Sequence, residues 1–115
     1  MRLQQILQQL IRLSQNICGR PIKRQLASGL IVTVCARADN PKSKVVLSRI
    51  KVAPSQTEIN TIIKYWPIPV VIDGSIQTTV ADNLHSVEFW VRPPSDDPAL
   101  IDNPASANAG SQSED

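Results

Sequence analysis

Eight basic side chains, Arg20, Lys23, Arg24, Arg37, Lys42, Lys44, Arg49 and Lys51, are the residues of this chain whose type and spacing could do chemistry. That chemistry would be the holding of a polyanion, because cations set along a connector and a hairpin can meet successive phosphates. The bias behind them is steep. Residues 1–52 hold ten of the twelve basic side chains and one acid, Asp39, whereas residues 53–115 hold two basic side chains and nine acids. The formal charge of +2 hides this division. Such sorting predicts a basic surface and an acidic tail that competes for it.

Other chemistries find little support. Nucleophilic catalysis usually needs a histidine beside the nucleophile, and His85 is the one histidine, at a turn or strand start. Cys18, Cys35 and His85 lack a metal-ligand spacing. The four glycines, Gly19, Gly29, Gly74 and Gly110, are scattered, so no glycine-rich loop can cradle a phosphate. Asp73 and Asp82 could form a carboxylate pair, but both lie in turn-like sequence, where Asp serves the backbone. The chain therefore reads as non-catalytic, with no cofactor and no metal.

At 115 residues there is room for one core. Residues 1–92 read as a single α+β domain. Residues 93–115 read as a disordered tail, with four prolines, five acids and no base. The core must come from Ile, Val and Leu, because Tyr65, Trp66, Phe89 and Trp90 are the only aromatics. Two cysteines are few for a small secreted domain, so they are expected to be buried free thiols in a reducing compartment, and the protein cytoplasmic. Gln4, Gln5, Gln8, Gln9 and Arg12 interrupt the apolar run that a secretory signal would need. The acid-poor, amphipathic start also has the bias of a mitochondrial transit peptide, although it is Gln-rich. No stretch approaches the roughly 20 apolar residues of a bilayer span.

The elements that must position the basic set follow from periodicity. Leu3, Ile6, Leu7, Leu10, Leu13 and Ile17 form one stripe, predicting a helix over residues 2–18 that Gly19 and Pro21 end. Residues 20–24 read as a basic connector. Residues 28–37 and 44–52 read as an antiparallel hairpin. With Arg37 facing Ser43, Leu30, Val32, Val34 and Ala36 would share a face with Val46, Ser48 and Ile50, leaving Arg49 and Lys51 outside. Ser55 and Glu58 form a capping box for a second helix carrying Ile59, Ile62, Ile63 and Trp66, ended by Pro67. Asp73-Gly74 predicts a tight hairpin between residues 69–72 and 75–80, and Ala81-Asp82-Asn83 another turn. Residues 85–92 alternate like a strand with one covered face.

The predicted fold is thus an antiparallel sheet of four to five strands with two helices on one side, in the order α-β-β-α-β-β-β. Its expected function is that of a nucleic-acid-binding accessory using the basic hairpin face, without membrane contact. The alternative is a protein-interaction module, dimeric through Leu3 and Leu10 of the first helix or docking through Leu100 and Ile101 in the acidic tail.

Overall fold

The computed structural model describes residues 2–95. Two helices and five strands follow one another as α1 (Leu3–Asn16), β1 (Ile22–Gln25), β2 (Ile31–Ala36), β3 (Ser43–Arg49), α2 (Gln56–Lys64), β4 (Val71–Ala81) and β5 (Leu84–Arg92). The strands form one antiparallel sheet in the spatial order β1-β2-β3-β5-β4. The α+β class, the two helices and the fully antiparallel sheet are as the sequence predicts. Two strands fall elsewhere along the chain, and one register differs.

The first difference is the basic connector, which is a strand. Ile22–Gln25 pairs with Ile31–Val34 of β2. Pro21 stands just before it, where a missing N–H costs nothing, and an edge strand tolerates Lys23 and Arg24 while they discourage pairing with another chain. The second is Asp73-Gly74, which makes no hairpin. β4 continues through it as one strand, and the surplus residues bulge between Asp73 and Gln77. Gly74 accommodates the bulge at φ +81°, a conformation costly for other residues. A reversal there would forfeit the pairing of Val71 and Ile72 with Arg92 and Val91. The true reversal is Asp82-Asn83, both left-handed at φ 52° and 64°, as a tight two-residue hairpin requires.

The third difference is the β2–β3 register, which lies one residue from the predicted one. Ala36, not Arg37, stands opposite Ser43, so Val32 and Val34 share their face with Leu47 and Val45. This fills the core with Val45 and Leu47, both fully buried, and leaves Ile50 and Lys51 exposed beyond the strand. Its cost is to turn Arg49 toward the helix side. Arg49 lies at the end of the apolar layer, where its guanidinium donates to the Ser28 carbonyl at 2.7 Å and pairs with Glu58 at 3.5 Å. The objection to this register, a cation driven into the core, is met by that escape.

Both helices cover the same face. Leu7 and Leu10 of α1, and Ile59, Ile62 and Trp66 beside them, join Val32, Val34, Val45, Leu47, Val87, Phe89 and Val91 in one buried cluster. Burying each such side chain contributes about 1.5–3 kcal/mol. The α2 capping box forms as predicted: Glu58 N–H donates to the Ser55 hydroxyl at 3.1 Å, and Ser55 N–H donates back to Glu58 Oε1 at 3.0 Å. At the other helix, Gly19 (φ +84°) lets its N–H reach the Ser14 carbonyl at 2.8 Å, closing α1. No described helix is long and apolar enough to cross a membrane.

Candidate functional site

Among the described residues, no helix packs on the other face of the sheet. Along β2 it presents Ile31, Thr33 and Cys35; along β3, Lys44, Val46 and Ser48; along β5, Ser86, Glu88 and Trp90. Lys23 extends one row at the β1 edge, opposite Thr33, and Asp73 extends another at the β4 edge, opposite Trp90. Trp90 is 42% exposed. It stands directly opposite Lys44. An exposed indole on this face, with a lysine at the facing position of the next strand, offers a surface on which a flat ring can stack.

Sequence reasoning missed this residue. Trp90 lies in the acidic half of the chain, and residues 1–52 contain no aromatic, so the basic set seemed to lack a stacking partner. Alternation along β5 already marks Trp90 as outward; only the pairing of β5 with β3 shows that it shares a face with Lys44.

The eight basic residues do not converge on one patch. Arg37 and Lys42 sit at one end of the β2–β3 hairpin, Arg49 and Lys51 at the other, about 20 Å away along the strands. Four of the eight meet acids. Arg37 holds Asp39 through two hydrogen bonds of 2.9 Å. Lys42 pairs with Asp73 at 3.1 Å, Lys44 with Glu88 at 3.3 Å and Arg49 with Glu58 at 3.5 Å. The last three join the basic half of the chain to its acidic half, so part of the charge sorting is intramolecular pairing across the sheet. Arg24 turns to the helix side of β1 and donates to Gln9 at 3.1 Å.

What remains is a flank. Arg2 and Arg12 lie exposed on α1, and Arg20, Lys23 and Arg24 precede or occupy the edge strand β1. No described acid pairs with Arg12, Arg20 or Lys23. All five described acids lie in the β2–β3 loop, α2, β4, the β4–β5 turn or β5. The side of the molecule built from α1 and β1 is therefore basic, and it adjoins the open face through Lys23.

The perturbed groups on or near this face are structural. A hydrogen bond from Lys42, seconded by Arg92 at 3.1 Å, holds the Asp73 carboxyl below the usual carboxylate range. Arg37 does the same to Asp39. Burial pushes the Cys35 thiol up, against the pull of Lys44. Both cysteines are free thiols, but Cys18 is exposed and Cys35 is half-buried, not the fully buried pair that composition suggests.

Other expectations are corrected here. Asp73 and Asp82 cannot share a substrate, because most of β4, roughly 30 Å of strand, separates them. His85 stands opposite Arg49 and Val80 at the end of β5. Leu10 is 2% exposed against the sheet and Leu3 packs on the same core, whereas Leu13 and Ile17 of the same α1 stripe are 44% and 40% exposed. Leu100 and Ile101 lie outside the described residues, as does the tail from residue 96 onward. Among the described residues, no three His, Cys, Asp or Glu side chains cluster to hold a metal ion.

Comparison with known proteins returns no family model, no curated protein and no solved structure that matches the chain.

Proposed function

We propose that this chain is a non-catalytic binding protein whose uncovered sheet face receives a single-stranded nucleic acid. One observation carries the reading: exposed Trp90 stands opposite Lys44 on an open sheet whose β1 edge carries Lys23 beside a flank rich in basic residues. From β1 to β5 is three strand spacings, about 14 Å, the span of two or three nucleotides. A base stacked on Trp90 would leave its neighbours' phosphates near Lys23 and Arg20. Because Lys44 is shared with Glu88, stacking contributes more than charge, and base specificity is low. Double-stranded nucleic acid gains nothing from a buried base face and should bind more weakly.

The test is a fluorescence titration with a short oligothymidylate. Trp90→Ala should weaken binding by about 1–3 kcal/mol, roughly 5–150-fold, and Trp90→Phe by less. Equal affinity of Trp90→Ala and the parent chain, or no binding at low salt, would overturn the reading. A second reading, a face for a protein partner, is favoured by Ile31, Cys35 and Val46 at the centre of the same surface. Affinity capture from the native cell with and without nuclease separates the two: a nuclease-resistant partner supports the second.

A further inference from the structure

The two edges of the sheet are unlike. β1 is four residues long, follows Pro21 and carries Lys23 and Arg24, each a guard against another strand. β4, at the opposite edge, runs for eleven residues and among the described residues pairs only with β5. Its bulge ends at Gln77, and residues 75–81 contain no charge and no proline. Such a stretch lacks the features that keep a sheet edge single.

The hairpin turn fixes which backbone groups are free. A two-residue turn closes on a hydrogen-bonded pair, here Ala81 and Leu84, and the pattern alternates from there. Thr79 and Gln77 therefore spend their N–H and C=O groups on β5, whereas Val80, Thr78 and Ile76 aim theirs away from the sheet. The side chains of these three point to the helix side. Ile76 packs against the core, but Thr78 is exposed and Val80 is 59% exposed, so neither helix covers this end of β4.

We infer that a second copy of this chain adds to the β4 edge, antiparallel, with the two-fold axis through Thr78. The stretch complements itself in that register. Val80 of each copy meets Ile76 of the other, an apolar pair formed twice, and no like charges stand opposite. Asp82, which makes no ion pair among the described residues, arrives beside Gly74 of the other copy. Next to that glycine, Lys42 and Arg92 share the single carboxylate of Asp73, a cluster with one positive charge to spare. Moving the axis one residue either way would set Val80 on Gly74 or Thr78 and lose the apolar match. The result is one continuous sheet with both open faces on the same side. Seven residues of strand make a small contact, so the dimer is concentration-dependent. The inference stands whether or not the open face binds nucleic acid.

Sedimentation equilibrium of the full chain, over concentrations reaching about 1 mM, should show monomer and dimer in exchange. Thr78 meets its own copy at the axis. Thr78→Lys and Thr78→Glu should therefore each weaken the dimer by roughly 1.5–5-fold, and an equimolar mixture of the two should restore it. Thr78→Pro removes an outward N–H without touching the β5 ladder and should leave only monomer. A dispersed amide spectrum confirms that each variant is folded. In the parent chain, the amides of Ile76, Thr78 and Val80 should exchange more slowly as concentration rises. A monomer at every concentration would overturn the proposal. So would a dimer that all three substitutions leave unchanged, or slow exchange of those amides in a monomer, because the chain would then cover its own edge.

Discussion

The hydroxyl of Ser14, in the last turn of α1, accepts a hydrogen bond from the Ala36 amide at the end of β2, at 2.9 Å. The same hydroxyl donates to the Arg20 carbonyl at 2.7 Å. Ser14 is fully buried, the one buried polar side chain among the described residues, and it ties the helix, the turn after it and the second strand together at a single oxygen. Ala36 ends β2, and Arg20 lies in the turn between α1 and β1. Ser14→Ala should therefore cost about 1–3 kcal/mol, the penalty for leaving two interior polar groups unmet. Urea unfolding reads it as a lower midpoint at unchanged slope.

The Lys44–Glu88 pair gives the open face a second handle. Both side chains are partly exposed, so the pair itself contributes only about 0.2–1 kcal/mol to folding. Glu88→Gln should leave stability nearly unchanged and release Lys44 toward a phosphate. The expected outcome is a gain in oligonucleotide affinity of roughly 1.5–5-fold, and a salt dependence steeper by about 0.7 in log–log slope, one extra phosphate on a single strand. Titrations at several salt concentrations check both at once.

Acid should weaken the β4 edge. Asp73 has a folded-state pKa depressed by the hydrogen bond from Lys42 and then by Arg92. A depressed carboxyl stabilises the fold above its unfolded value and ceases to do so as pH falls through the folded one. The thermal midpoint of the parent chain should therefore drop as pH passes below the ordinary aspartate value of about 3.8. Asp73→Asn should start lower at neutral pH and lose less on acidification, the two curves converging in acid. Asp39, depressed by Arg37, shares the direction and leaves a residual slope in the variant.

Much of the fold was legible locally, and the failures share one cause. The Ser55–Glu58 box, the α1 stripe and the β5 alternation are signals within ten or so residues, and each became the element it foretold. Asp73-Gly74 is an equally good local signal that lost, because pairing of Val71 with Arg92 and of Ala81 with Leu84 uses both ends of one long strand. The β2–β3 register went the same way: Arg49 looked misplaced in it until Glu58, on a later helix, supplied a partner. The candidate site was least legible of all. It needs Lys44 and Trp90 in one row, and their strands lie far apart in sequence. A count of charges along the chain could not show that Lys42, Lys44 and Arg49 meet acids from the other half.

The spatial order β1-β2-β3-β5-β4 has a consequence for how the chain acquires its shape. The final described strand is not added at a margin; it slots between a partner made long before it and the strand just made. Until it arrives, β3 has a bare side, and Phe89, the largest fully buried side chain, is missing from the interior. A nascent chain halted before residue 84 would lack Val87, Phe89 and Val91 from its core and leave a strand unprotected, a species prone to stick to its copies. Assembly of this protein is thus gated by its own late arrival, and holding by chaperones would matter most in that interval.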